Sequence, residues 1–372
     1  MRAKIGAAVA AAALLLPALA AERARAQEQP AVPRFQVDPF WPKPLPNKWI
    51  LGQVSGIAVD RFDRIWVVHR PSTLNGRERA AEQNPPAANC CVAAPPVLVF
   101  DQSGNLLTSW GGPGQGYEWP QSEHGIYIDD NDFVWLAGNG KQDGQLLKFT
   151  MSGKLVLQIG HAGPIKGSND TTSLGSPADV AVDTVAKEVF AADGYTNHRV
   201  VVFDSETGAY KRHWGAYGNK PSDDKQPPYD PAKPPAQQFG NPVHCIRIAW
   251  DGLVHVCDRS NDRVQIFRKD GSFVAEHFFE KSTLTGSVYD LIFSPDPAQR
   301  FIYMIDGSNG EVRILSHATY EVLARFGRPG RQAGEFTSGH NIAVDHQGNI
   351  YTAEVNTGQR VQKFRRIDQQ QD

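Results

Sequence analysis

A pattern of short apolar strands and tight turns recurs six times along the 372-residue chain, and this repetition limits the possible folds more than any other feature. The first copy begins with residues 55–60 and the last with residues 340–345. Each of the first five copies holds four strands with alternating apolar positions and Gly or Asp turns. Such units predict an all-β fold, a six-bladed β-propeller with four-stranded blades.

The sixth copy stops after its third strand, near residue 364, and the ring would then have an open sheet edge. Residues 34–40 precede blade one and belong to no other blade. We therefore predict that this N-terminal strand closes the last blade; a loose N-terminal arm is the alternative. The repeats resemble NHL repeats. The predicted organisation is a single propeller over residues 34–366 and a polar tail over residues 367–372.

Residues 1–26 are predicted to be a signal peptide, because Arg2 and Lys4 precede a run rich in Ala and Leu. Cleavage is expected after Ala26 or after Ala20. A membrane anchor is the alternative, but the run is shorter than about 20 clean apolar residues and no second segment follows. We predict an exported protein, periplasmic or secreted, without a membrane span.

The charge balance excludes a strongly basic nucleic-acid binder, since the formal net charge is −2. Residues 1–26 hold four of the 38 Lys and Arg and one of the 40 Asp and Glu, so the remainder carries −5. The predicted partner is a small molecule or peptide, and the predicted state is a monomer. Export permits disulfides, and Cys90, Cys91, Cys245 and Cys257 allow three pairings.

Long connections are expected on one face of the ring. Residues 71–96 interrupt blade one, and residues 216–242 join blades three and four, whereas the turns expected on the opposite face are short. Long loops on a compact domain are usually functional. We predict that this face holds the site, with these two segments as its walls; tolerated insertion at an inert rim is the alternative.

Histidine opens the innermost strand in alternate blades. The opening residues, in chain order, are Ser55, His124, Ala178, His244, Tyr289 and His340. Alternate blades of a six-membered ring are about 120° apart, so these imidazoles are expected to converge on the axis. Three His with an open position are typical of a catalytic zinc site, although a single such His is more often structural.

The second strand of each blade ends on the face where the first begins, so its last residues are expected around the histidines. They include Arg70, Asp193, Tyr195, Asp258, Arg259, Asp306 and Glu354. Two Arg beside a dication indicate an anionic substrate, because a guanidinium binds a carboxylate through two N–H groups. Positive charge is expected to lower the pKa of Tyr195 and to make it a base. Taken singly, each Arg could form a rim salt bridge and Tyr195 could be a packing residue.

These residues together resemble the peptidyl-α-hydroxyglycine α-amidating lyase family. The resemblance is clearest at residues 53–56, 67–70, 193–199 and 242–244, with 258–259. It implies that His124, His244 and His340 are zinc ligands and that Tyr195 is the base. It also implies that Arg70 partners the Tyr and that Arg259 is a second active-site Arg that binds substrate.

The resemblance also implies a structural Ca²⁺ on the axis, held by main-chain oxygens at Ile57 and Ile126 and by an Asp after the third His. Here that residue is Asn341, which is neutral, whereas Ca²⁺ prefers charged oxygen ligands. Thr196 and Ile266 occupy two of the family's cysteine positions, so a bridge between Cys245 and Cys257 would be a different one.

The sequence therefore predicts a zinc-dependent lyase that cleaves the C–N bond of a peptidyl-α-hydroxyglycine-like carbinolamide to an amide and glyoxylate. Tyr195 and Arg70 are the expected catalytic residues, and Arg259 and Arg70 the expected carboxylate ligands. The alternative is a secreted, non-catalytic NHL propeller that binds a protein or small ligand on its long-loop face.

Overall fold

The strands of the protein follow the six sequence copies. The computed structural model describes residues 31–368, so the predicted signal peptide over residues 1–26 and residues 369–372 of the predicted tail lie outside it. The first strand begins at Phe35 and the last ends at Arg366. Among residues 31–368, no helix is long and apolar enough to cross a membrane.

Twenty-six strands and four short 3-10 turns make up the regular structure of residues 31–368. The strands are β1 (Phe35–Asp38), β2 (Trp49–Ile50), β3 (Gln53–Val59), β4 (Ile65–Arg70), β5 (Val92–Ala93), β6 (Val97–Phe100), β7 (Leu106–Trp110), β8 (Glu123–Ile128), β9 (Phe133–Gly138), β10 (Gln145–Thr150), β11 (Leu155–Gly160), β12 (Asp179–Asp183), β13 (Glu188–Asp193), β14 (Arg199–Asp204), β15 (Tyr210–Trp214), β16 (Val243–Ile248), β17 (Val254–Asp258), β18 (Arg263–Phe267), β19 (Phe273–Phe278), β20 (Asp290–Phe293), β21 (Phe301–Asp306), β22 (Glu311–Ser316), β23 (Val322–Phe326), β24 (Gly339–Val344), β25 (Ile350–Glu354) and β26 (Arg360–Arg366). The 3-10 turns are Pro71–Thr73, Ala80–Glu82, Ala216–Gly218 and Arg259–Asn261.

Six antiparallel four-stranded sheets form the blades of a ring, which confirms the predicted all-β propeller. Blade one is β3-β4-β6-β7, and blades two to five are each built from four consecutive strands, β8 to β23. Blade six has the order β1-β26-β25-β24, so the N-terminal strand does supply its outer strand. A short parallel pair, β2 with β5, lies within the long connections of blade one.

Side chains of β1 fasten the closure to the neighbouring blade. Phe35 pairs with Arg366 across the sheet, and its ring centroid lies 5.1 Å from that of Phe326 and 5.5 Å from that of Tyr303 in blade five. Beyond the strand, the Ile367 N–H donates to the Arg34 carbonyl at 2.9 Å. The closure therefore joins backbone pairing to aromatic packing.

Aspartates set the tight turns between first and second strands. In blade one, Asp60 accepts the backbone N–H groups of Phe62 and Arg64 at 2.9 and 3.0 Å, and it also accepts Trp66 Nε1–H at 2.8 Å. In blade two, Asp129 makes the same kind of bond to Trp135 at 2.8 Å. An Asp whose carboxylate mimics a turn acceptor is a local signal for the strand reversal.

A second recurrent carboxylate ends the second strand and binds an Arg at or near the start of the third strand. These buried pairs are Asp193–Arg199, Asp258–Arg263, Asp306–Arg313 and Glu354–Arg360, at 2.5–2.8 Å. The sequence predicts these acids around the histidines. In the structure each is engaged by its Arg, since an unpaired buried carboxylate would carry a large desolvation penalty.

The apolar core lies between successive blades. Trp214 of blade three, for example, is 3% exposed, and its ring centroid lies 5.9 Å from that of Phe267 in blade four. Alternate residues of the inner strands of each blade face the two neighbouring blades, which is why these strands are mostly buried on both sides, whereas the outer strands are partly exposed. This packing holds the innermost strands β8, β16 and β24 rigidly around the axis.

Candidate functional site

His124, His244 and His340 lie near the starts of innermost strands β8, β16 and β24, and all three are buried. Each lies at a shift in pairing register. In blade four, for instance, Val243 pairs with Asp258 and Cys245 with Cys257, which leaves His244 as the extra residue. Such a bulge redirects a side chain. The three imidazoles consequently meet, with ring centroids 4.7–5.1 Å apart.

Each imidazole is oriented by a backbone carbonyl of the next blade. The Nδ1 atoms lie 2.7, 2.5 and 2.9 Å from the carbonyl oxygens, the pairs being His124–Ala178, His244–Tyr289 and His340–Ser55. These carbonyls belong to the residues that occupy the histidine position in blades three, five and one. Even blades thus supply imidazoles and odd blades supply the acceptors that orient them.

Gly125 allows the close approach of blades two and three at this point. A Cβ at Gly125 would lie 2.5 Å from the Ala178 carbonyl oxygen, the same atom that accepts from His124. That separation is far too short for a real carbon–oxygen contact. The glycine after His124 is therefore part of the mechanism that positions this imidazole.

The donor set fits a divalent cation. A carbonyl only accepts, so each Nδ1 carries the proton and each Nε2 presents a lone pair. The Nε2 atoms of His244 and His340 face each other at 3.1 Å, and Tyr195 Oη lies 2.9 and 3.1 Å from Nε2 of His124 and His244. One hydroxyl proton cannot satisfy three lone pairs. Imidazoles held through Nδ1 by carbonyl groups are the usual surroundings of a metal.

Electrostatics keep the imidazoles neutral, which metal binding requires. Burial, together with the positive charges of Arg70 and Arg259, lowers the pKa of His340 to about 3. Burial also lowers the pKa values of His124 and His244 well below the usual range. For Tyr195, burial raises the pKa, and the charges of Arg259 and Arg70 oppose this shift. The expected lowering by the two Arg is thus present but is outweighed by burial.

Arg70 lies at the end of β4 and is held by neutral acceptors. Its Nε donates to the Glu123 carbonyl at 2.7 Å, and its two terminal nitrogens donate to Gln53 Oε1 at 3.1 Å and Asn139 Oδ1 at 3.0 Å. Burial lowers its pKa, and within residues 31–368 it forms no ion pair. Its charge is therefore fixed in position and left without a carboxylate.

Arg259 lies near the aromatic rings of Tyr195 and Tyr289. Its guanidinium carbon is 4.6 Å from the ring centroid of Tyr289 and 6.0 Å from that of Tyr195. Its Nε is buried, and among the described residues it has no hydrogen-bond partner. An unpaired buried donor of this kind is one that an anionic ligand would satisfy.

The 216–242 segment contacts the site, as predicted for a wall. Asn241 Nδ2 donates to the Tyr195 carbonyl at 2.5 Å, and Ser260 beside Arg259 bonds to the Asn241 carbonyl. A cavity of about 230 Å³ opens next to these residues, lined by prolines of the loop, Tyr229, Phe278 and Lys281. The segment thus contacts the backbone of Tyr195 and also lines this cavity.

The residues that hold Arg70 and Arg259 in position were not predicted from the sequence. Asn139, the carbonyl of Glu123 and the ring of Tyr289 position the two Arg, but nothing in their spacing singles them out.

The structure also resolves the cysteine pairing, with bridges between Cys90 and Cys91 and between Cys245 and Cys257.

A six-bladed propeller with a buried three-histidine centre is thus the class of protein that the fold and site define. No family model matches the chain. A relative in Xenopus laevis, peptidyl-glycine alpha-amidating monooxygenase B, is 25% identical over 82% of this chain, but only 33% of that protein is covered. The chain spans about a third of the length of such amidating relatives.

Two further relatives are shorter. The "probable peptidyl-alpha-hydroxyglycine alpha-amidating lyase" of Caenorhabditis elegans is 28% identical over 60% of the chain and 57% of that protein. Human NHL repeat-containing protein 3 is 24% identical over 89% of the chain and 84% of that protein. The homologues of this chain therefore include amidating enzymes, a probable amidating lyase and NHL repeat proteins.

Among solved structures, a streptogramin B lyase shares the fold with a TM-score of 0.53 at 10% identity, covering 90% of this chain and 98% of that one. At this identity the likeness concerns the propeller alone.

Proposed function

We propose that the chain is a zinc-dependent lyase that cleaves the C–N bond of a peptidyl-α-hydroxyglycine-like carbinolamide, yielding an amide and glyoxylate. The observation that carries the proposal is the convergence of three carbonyl-oriented Nε2 atoms on one point beside the Tyr195 hydroxyl. The distant relationship to amidating enzymes supports the same reaction class.

His124, His244 and His340 would hold the metal. A bound Zn²⁺ supplies Lewis-acid polarisation of an oxygen ligand. The protein's own part is to keep the three Nδ1 atoms protonated through the carbonyls and to exclude bulk water, since all three rings are at most 3% exposed. We propose zinc because three imidazoles and an open position suit it.

Arg70 and Arg259 would bind the substrate carboxylate. Both guanidinium groups lie near Tyr195 without a carboxylate of their own, so a substrate anion would supply the missing counter-charge. Binding there would direct the carbinolamide hydroxyl towards the Tyr195 oxygen.

Tyr195 would transfer the proton. Its oxygen would take the hydroxyl proton as the C–O bond becomes a carbonyl, in the phenolate form that the charges of Arg259 and Arg70 favour against the effect of burial. The electrons of the breaking C–N bond pass to the amide nitrogen, which receives a proton in turn. The atoms balance without an added reactant, since one carbinolamide gives one amide and one aldehyde acid.

Metal analysis and turnover of α-hydroxyhippurate test the proposal. We expect about one equivalent of zinc per chain, and loss of both zinc and activity in His124→Ala. Tyr195→Phe should retain zinc while turnover falls at least 100-fold, whereas Tyr210→Phe, on the outer strand β15, should behave as the unaltered protein. Full activity with less than a tenth of an equivalent of zinc would contradict the proposal.

The second candidate is a non-catalytic propeller that binds a ligand on the long-loop face. The proline-lined cavity of about 230 Å³ and the 84% coverage of an NHL repeat protein favour it. Bound zinc without any turnover of carbinolamides would support this function over the first. In either case we propose export to the periplasm or medium, on the basis of residues 1–26.

A further inference from the structure

A buried guanidinium occupies the axis of the ring below the histidines. Arg247 lies three residues after His244 on β16 and is 7% exposed. It forms an ion pair with Asp179 of β12 and a second with Asp290 of β20, at 2.8 Å, and it also donates to the Ile246 carbonyl at 2.8 Å. One side chain thus ties together blades three, four and five.

The two carboxylates lie directly next to the residues that orient the histidines. Asp179 follows Ala178 and Asp290 follows Tyr289, whose carbonyls hold His124 and His244. Asp290 also accepts Asn341 Nδ2–H at 3.1 Å. Each axial carboxylate therefore belongs to the residue that directly follows a histidine-orienting carbonyl.

Neutral donors complete the network. Besides Arg247 and Asn341, Asp290 accepts the backbone N–H groups of Leu291 at 2.8 Å and Ile342 at 3.1 Å. Burial raises the pKa values of Asp179 and Asp290, and the charge of Arg247 opposes those shifts. For Arg247, burial works against the charged form, but the two carboxylates outweigh it and raise its pKa. Two carboxylates at this depth need a cation.

The residues expected to bind Ca²⁺ surround an apolar cavity and include no free carboxylate. Ile57 and Ile126 line a small apolar cavity of about 80 Å³ on the axis, and Arg247 is the charged side chain in its lining. Ca²⁺ takes six to eight oxygen ligands, several of them charged. The carboxylates that could serve are already bound by the guanidinium, and Asn341 is neutral.

We propose that Arg247 is the axial cation of this propeller, and that the fold consequently needs no calcium ion. A planar guanidinium reaches two carboxylates at once, which a lysine ammonium does less well. The proposal is independent of the lyase activity, because it concerns the unfolding of the ring.

Thermal unfolding of the full chain with and without millimolar Ca²⁺ tests this proposal. The midpoint of the unaltered protein should not move with Ca²⁺. Arg247→Met should lower the midpoint by roughly 10 °C, because two buried carboxylates lose their counter-charge. Ca²⁺ should restore at least a third of that loss, and more in the double variant Arg247→Met with Asn341→Asp.

Arg313→Met is the matched control. Arg313 is 1% exposed and paired with Asp306, but it belongs to the third strand of blade five rather than to the innermost strand. This variant should also lose stability, and Ca²⁺ should not restore it. Equal rescue of both variants would overturn the proposal. If Arg247→Met does not fold, the unaltered protein still decides: stoichiometric bound Ca²⁺, or a midpoint that rises with Ca²⁺, would overturn it.

Discussion

Apart from Arg247 on the axis, two kinds of buried or half-buried arginine can be distinguished. Arg199, Arg263 and Arg313 each pair with the carboxylate that ends the preceding strand. Arg70 and Arg259 instead have carbonyl, amide or aromatic neighbours. These three arginines are neutralised by their carboxylate partners, whereas the two guanidinium groups near the histidines form no ion pair among the described residues. The surroundings of the histidines therefore carry a local excess of positive charge. This excess favours an anionic ligand although the net charge of the chain is −2.

Replacing Arg259 should affect substrates according to their charge. We expect Arg259→Met to lower kcat/KM for a carboxylate-bearing carbinolamide by about 100-fold, mainly through KM, because one charge-assisted hydrogen bond is lost. Arg212→Met, which removes an outer pair with Glu188, should change kcat/KM less than twofold. Steady-state kinetics with a methyl ester of the substrate supply the check, since equal losses for acid and ester would argue against carboxylate binding.

The site residues that occupy equivalent positions in the repeats could be predicted from the sequence. Comparison of equivalent positions found His124, His244 and His340, and blade geometry brought them to the axis. The Ala178, Tyr289 and Ser55 carbonyls could not be found in this way, because every residue has a carbonyl whatever its side chain. The role of Arg247 was hidden for another reason: a single polar residue in an apolar strand has no periodic signal.

At the level of the strands, β1 has more effect than its four residues suggest. It pairs with β26 from Phe35 to Asp38 and so converts an open edge into a closed blade. Its aromatic contacts with blade five come from the Phe35 ring. The sequence predicts this strand because blade six has only three strands of its own. This prediction does not depend on the β-strand propensity of residues 34–40.

Removing that ring should weaken the whole domain. Phe35→Ala is expected to reduce the free energy of unfolding by about 2 kcal/mol, since Phe35 is only half-buried and a fully buried Phe loses more. Phe40→Ala, two residues beyond the strand and 85% exposed, should stay within about 0.5 kcal/mol. Urea titration of both variants measures this; similar losses would mean that β1 does not fasten the ring through Phe35.

For the molecule as a whole, buried neutral histidines link stability to pH. Burial lowers the pKa of His69 to about 4 and that of His255 to about 3. The unfolded chain takes up these protons near pH 6.5, whereas the folded chain excludes them, so stability present above pH 6.5 is lost on acidification. Asp262 acts in the opposite sense, because burial raises its pKa to about 7.

Comparison of variants separates these contributions. Between pH 7.5 and pH 5, each buried His should destabilise the fold by about 2 kcal/mol. On this change of pH, the free energy of unfolding of His255→Gln should therefore fall by about 2 kcal/mol less than that of the unaltered protein. The control variant His161→Gln, at an exposed position, should lose the same free energy as the unaltered protein. Urea titrations at the two pH values provide the measurement, and an unchanged pH dependence in His255→Gln would refute this assignment.

The alternation of histidine and carbonyl blades has a consequence for how such a ring can change in evolution. A closed circle in which two kinds of unit alternate must contain an even number of units, so the loss or gain of one blade would place two like blades side by side. Each imidazole would still find a backbone carbonyl, because every residue has one, but the three imidazoles would no longer be evenly spaced around the axis. The unit that can be duplicated or deleted without breaking the pattern is a pair of blades, and three pairs supply three ligands. Blade number, often variable among propellers, is here constrained by the parity of the site.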